Sequence, residues 1–125
     1  MTQIDDLVIE AHLNSLKHGF WDDCPVWDTV RAGESVELAT YYGNKLMLIV
    51  GEVAEAHEEL RKNADASHVY FRNSDEKPEG LGYELADVII RVFDLAGAAG
   101  IPLAEYIDTK MAFNADRPAM HGKNF

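Results

Sequence analysis

The stretch KLMLIVGEVAEAHEEL, residues 45–60, decides the fold, read together with GYELADVII at residues 82–90. Each is a strongly apolar run that carries two acids three positions apart: Glu52 and Glu55 in the first, Glu84 and Asp87 in the second. A spacing of three puts both carboxylates on one helical face, about one turn apart. Working outward from the first run, Leu38, Tyr42, Leu46, Ile49, Val53, Ala56 and Leu60 step by four or three, which predicts a helix from Glu34 to Lys62, with Gly43 as the place for a break or kink. Around the second run, Leu81, Leu85, Val88, Ile89, Val92, Ala96 and Ala99 predict another helix, ended in the region of Gly97 to Gly100.

The flanks extend the pattern. Ile4, Leu7, Val8, Ala11 and Leu16 predict a first helix, with Thr2 as its cap and Gly19 as its stop. Ile101-Pro102 restarts the chain, and Leu103, Tyr106, Ile107 and Met111 line a fourth helix. Phe20 to Gly33, with Trp21, Pro25 and Trp27, reads as an ordered loop, and the polar stretch Asn63 to Gly80 as a connection holding a short turn around Val69 to Phe71. No alternating strand pattern, internal repeat or low-complexity tract appears, so the expected class is all-α in a single domain over residues 1–125.

Composition narrows the partners. A formal net charge of -11 argues against a nucleic-acid polymer or an anionic membrane surface, both of which need a basic stripe. Small phosphate-bearing ligands stay open if a metal bridges the charge. One cysteine, Cys24, excludes an intramolecular disulfide and fits a reducing compartment. Met1 to Asp6 is polar and acidic, unlike a secretory leader, and no run is long enough for a membrane span, so a cytoplasmic location is expected.

Helical-wheel positions at roughly 100° per residue set Glu52, Glu55 and Glu59 on one edge of the second helix, with Lys45 two turns back, and Glu84, Asp87 and Arg91 on one edge of the third. Both edges border the apolar stripe rather than oppose it. Solvated acids at helical spacing usually lie opposite a core, whereas two doublets beside it describe a cation site. Four carboxylates there repel one another and suit a hard ion, Mg2+ with Mn2+ as substitute. A carboxylate-bridged di-iron centre needs Glu-x-x-His on two helices, and no glutamate here has a histidine three residues on. Ile90 and Phe93 add apolar surface on a second side of the third helix, which predicts a subunit interface.

Residues 45–60 followed by 82–90 resemble the MazG-like nucleotide pyrophosphohydrolases of the all-α NTP pyrophosphatase superfamily, and the likeness extends over about Lys45 to Arg117. It implies a four-helix-bundle-like fold completed by oligomerisation, as a dimer or tetramer, and Mg2+-dependent cleavage of nucleoside triphosphates to monophosphate and pyrophosphate. By position it makes Glu52, Glu55, Glu84 and Asp87 the metal ligands. Lys110, Asn114 and Arg117 resemble a segment that contacts phosphate or nucleotide, with ordinary helix-terminal charge as the alternative. Lys45 and Arg91 are either substrate contacts or structural ion pairs, and Trp21 and Trp27 either stack on a base or pack in the core. Glu55 or Glu59 is the candidate to take the proton from the attacking water. Two other readings share these features: a non-catalytic helical oligomer or nucleotide-binding module, and a hydrolase acting on a nucleotide-like metabolite such as phosphoribosyl-ATP.

Overall fold

A computed structural model describes residues 3–25 and 36–123. Four helices dominate it: α1 (Gln3–Lys17), α2 (Val36–Lys62), α3 (Leu81–Ala99) and α4 (Leu103–Ala115), followed by a 3-10 turn at Ala119–Gly122. The protein is all-α apart from one small hairpin. α3 is the organising element, packing against both α1 and α2, while α4 rests on α1. No described helix is long and apolar enough to cross a membrane.

The helix ends have local causes. α1 closes as the backbone N–H groups of Gly19 and Phe20 turn back to the carbonyls of Leu16 and Ser15. α3 closes in the same way, with Ile101 N donating to Ala96 O at 2.9 Å. α2 runs unbroken through Gly43 and Gly51, so the break allowed for at Gly43 does not form. A long helix held along one side by α3 tolerates two glycines whose separate costs are each about 1 kcal/mol. The proposed cap Thr2, the segment containing Trp27 and the helix start at Glu34 lie outside the described residues.

The connection between α2 and α3 differs from expectation. It contains a two-stranded antiparallel hairpin, β1 (Tyr70–Phe71) and β2 (Pro78–Glu79), with Tyr70 opposite Glu79 and Phe71 opposite Pro78. Two-residue strands are too short to leave an alternation in the sequence. What holds the turn is local charge: the Arg72 guanidinium donates to both carboxylate oxygens of Asp75 at 2.8 and 2.6 Å, and Asp75 also accepts from Lys77 N. That pairing holds the Asp75 carboxyl down at about 2. Gly80 then leads into α3 at φ +129, where any Cβ would stand 2.4 Å from the His68 carbonyl oxygen.

The buried apolar residues are few and mostly small: Val8, Trp21, Leu38, Ala56, Ala96 and Ala104. Leu46, Val53 and Leu60 of the α2 stripe, and Leu85 and Ile89 of the α3 stripe, remain 39–52 % exposed. α1 and α3 approach closely at Gly97. A Cβ on Gly97 would lie 2.7 Å from His12 Cβ and 3.4 Å from the Val8 carbonyl oxygen, so only hydrogen fits. Gly97→Ala is expected to push α1 off α3 at a cost of about 1–3 kcal/mol. Thermal or urea unfolding measures this, and an unchanged midpoint would show that the spacing of the two helices is not set at Gly97.

Candidate functional site

Glu52 and Glu55 project from α2 toward α3, and Glu84 meets them from the first turn of α3. One carboxylate oxygen from each of these three lies within 4.8 Å of the others. Of the four carboxylates expected to converge, these three come together, and Asp87 is not among them. Asp87, one turn further along α3, lines with Glu52 a cavity of about 270 Å³ that opens toward α1. Glu52's charge is one of the influences that raise the Asp87 pKa.

Glu84 is the focus of the cluster. It is 1 % exposed, and its Oε2 has no hydrogen-bond partner among the described residues. Leaving a buried acceptor unsatisfied costs about 1–3 kcal/mol, and more when it is charged. Burial raises its pKa above the usual glutamate value. Lys77 opposes that rise, whereas Asp87, Glu55 and Glu79 reinforce it. Asp87 is likewise raised, chiefly by burial and then by Glu52, against Lys77 and Arg91. Two adjacent carboxylates with raised affinity for protons, one of them with an orphaned oxygen, are a donor set that fits a hard divalent cation.

A second trio shares Glu84. Oxygens of Glu59, Glu79 and Glu84 also lie within 4.8 Å of one another, beside a cavity of about 400 Å³. Two members of this trio, Glu59 and Glu79, are compensated within the chain. Both oxygens of Glu59 are 3.1 Å from the Tyr70 hydroxyl, and Lys62 faces it at 3.6 Å. Glu79 is 3.7 Å from the Lys77 ammonium and 3.9 Å from Arg72. Glu79, Lys77, Arg72 and Tyr70 come from the hairpin and escaped the sequence reading. The one available signal was the charged run Asp75-Glu76-Lys77-Pro78-Glu79-Gly80 ending four residues before Glu84.

The remaining expected residues fall into three groups. Arg91 Nε donates to Glu52 Oε1 at 2.5 Å, which makes Arg91 a partner of the acids while it still lines the cavity toward α1. Lys45 contacts no acid of the cluster: its ammonium donates to the Phe20 carbonyl and lies 4.5 Å from the centre of the Trp21 ring. Trp21 is 7 % exposed, and its indole N–H donates to Asp94 Oδ1 at 2.8 Å. Its place is therefore the core and not an open stacking face. Asp94 also accepts from Ser15 Oγ at 2.7 Å and stands 2.8 Å from His12 Nδ1, tying the loop and α1 to α3. Lys110, Asn114 and Arg117 are exposed at the end of α4, with the two cations 5.7 and 5.6 Å from the Phe113 ring. They line neither acid-rich cavity of their own chain.

Compared with protein-family models, with curated proteins and with solved structures, the chain matches none.

The raised pKa of Glu84 has a defined sign. The folded chain holds this proton more tightly than the unfolded chain, so its contribution to stability is complete below about 4.5 and drains as pH rises through the raised value. Glu84→Gln keeps the shape and removes the charge. With EDTA present at pH 7, it is expected to raise the melting temperature by roughly 3–5 °C, the shift that about 1 kcal/mol produces in a domain of this size. It should also flatten the fall in melting temperature between pH 5 and 8. Calorimetric scans across that range test both effects, and a lower melting temperature for Glu84→Gln in EDTA would contradict the assignment.

Proposed function

We propose that this protein is a divalent-cation-dependent nucleoside triphosphate pyrophosphohydrolase with a MazG-like helical fold, acting as a dimer or tetramer. The observation that carries the reading is buried Glu84, which has one carboxylate oxygen unpartnered among the described residues and belongs both to the trio with Glu52 and Glu55 and to the trio with Glu59 and Glu79. Glu52, Glu55, Glu84 and Asp87 would hold Mg2+, with Mn2+ able to substitute. Mg2+ bound there supplies positive charge for a polyphosphate and makes a nearby water more acidic. Without that charge a chain of net charge -11 repels its own substrate.

The reaction adds the oxygen of water to the α-phosphorus and breaks the bond from that phosphorus to the α,β-bridging oxygen. Pyrophosphate departs with the electron pair, leaving the nucleoside monophosphate. Glu55, exposed on α2, would take the water's proton. Glu59 was the other candidate, but the Tyr70 hydroxyl and Lys62 already engage it. Arg91, anchored on Glu52, presents its guanidinium to the cavity where phosphate would lie. Asn14, Phe20 and Ile90 give the same cavity the mixture of amide and apolar surface that suits a nucleoside.

Assembly into oligomers is supported by exposed apolar surface. Leu7, Leu85, Ile89 and Ile90 are 42–51 % exposed along one groove between α1 and α3. Light scattering on a sizing column is expected to return a mass two or four times 14.0 kDa, and a 14.0 kDa species would count against assembly.

Purified protein, incubated with ribo- and deoxynucleoside triphosphates plus Mg2+ or EDTA, tests the reaction by ion-exchange separation of products. Monophosphate and pyrophosphate should appear only with the metal. Glu52→Gln and Asp87→Asn should each lower kcat by about a hundredfold or more while the protein stays folded. A fully active Asp87→Asn would overturn the site, and no turnover on any triphosphate would overturn the reaction.

A further inference from the structure

The acid cluster has two mouths of different chemistry. Toward α1 it opens into a cavity of mixed lining, in which Ala11, Asn14, Phe20 and Ile90 stand beside Ser15 and the charged Glu52, Asp87, Arg91 and Asp94. Toward the hairpin it opens into the larger cavity, whose lining consists only of charged side chains and Tyr70. Glu84, with its unpartnered oxygen, lines the hairpin side, and Asp87 lines the α1 side. A nucleoside triphosphate has the same asymmetry, apolar and amide-like at one end and purely ionic at the other.

Three cations line the hairpin cavity, and they are not equivalent. Arg72 is clamped by two hydrogen bonds to Asp75, and Lys62 faces Glu59 one turn back on its own helix. Among the described residues Lys77 has one ion-pair contact, Glu79 at 3.7 Å, and its side chain is 40 % exposed. Its charge also acts on Glu55, Glu84 and Asp87, so it stands within electrostatic reach of both helical doublets. A half-exposed ammonium on a four-carbon stem can turn from one anion to another at little cost.

Resting on the hydrolase reading above, we propose that Lys77 binds the β- and γ-phosphates, and that the substrate therefore lies with its nucleoside toward α1 and its departing diphosphate toward the hairpin. Lys77 is then a substrate-binding residue that neutralises the leaving group. The five carboxylates and three cations of this cavity leave it net negative, so the form that fits is pyrophosphate complexed with a divalent cation.

Calorimetric titration of the full chain tests this with two probes, Mg2+ alone and inorganic pyrophosphate in the presence of Mg2+, on wild type, Lys77→Met and Lys77→Arg. Lys77→Met is expected to weaken pyrophosphate binding at least tenfold without weakening Mg2+ binding, and Lys77→Arg to restore most of the loss. Wild-type protein that fails to bind pyrophosphate overturns the proposal, as does unchanged affinity in Lys77→Met. Parallel loss of Mg2+ and pyrophosphate binding would make Lys77 a structural counter-charge and overturn it too. Failure of the reaction itself reads differently: Lys77-dependent pyrophosphate binding with no hydrolysis of any triphosphate would uphold this subsite and remove the hydrolase.

Discussion

The packing of α2 against α3 places a carboxylate, Glu84, where neither water nor a hydrogen-bond donor among the described residues reaches one of its oxygens. Burying a charge in this way is among the more costly things a fold can do, and here it occurs with Glu52, Glu55 and Glu79 close by. Much of the surrounding structure limits that cost. Arg91 reaches across from α3 to Glu52, and Lys77 leans in from the hairpin. Such local compensation is incomplete, because the orphaned oxygen remains. In the proposed reaction this deficit is the cation's binding energy, held in the fold before the ion arrives.

Geometry on the other side of α3 serves the same end. Asp94 gathers Ser15, Trp21 and the His12 imidazole, and Gly97 lets α1 approach until His12 is in van der Waals contact with the helix. Trp21, over which the Lys45 ammonium lies, is thereby fixed in the core. The α1 wall of the cavity beside Glu52 is thereby tied to α3, while the neighbouring cavity on the far side of the acids is walled in part by a two-stranded hairpin of mostly exposed residues. A wall so tied suits recognition of a shaped group, and a mobile ammonium suits a departing anion.

How much of this was legible in the sequence depends on the length of the signal. Helices of 13 to 27 residues repeat their apolar period several times, and all four were readable, as was the approach of Glu84 to Glu52 and Glu55, though Asp87 stands outside that trio. Strands of two residues repeat nothing, so the hairpin was hidden, and with it Glu79 and Lys77. The wheel placed Lys45 on the acids' edge, yet its long side chain turned to the Phe20 carbonyl, a backbone partner that no wheel contains. For Trp21 the sequence left stacking and burial open, and the carboxylate of Asp94, 73 residues away, decided it. The apolar stripes were found in the right places, but their half-exposure in a single chain was not visible, since periodicity reports a face and not what covers it.

The account turns on whether the Glu84 cluster holds a divalent cation. Titration of the metal-free protein with Mn2+, followed by electron paramagnetic resonance without nucleotide, measures this directly. Saturable binding by wild type, weakened at least tenfold in Glu84→Gln, is the predicted result. No saturable binding, or equal affinity in the two proteins, would contradict the account.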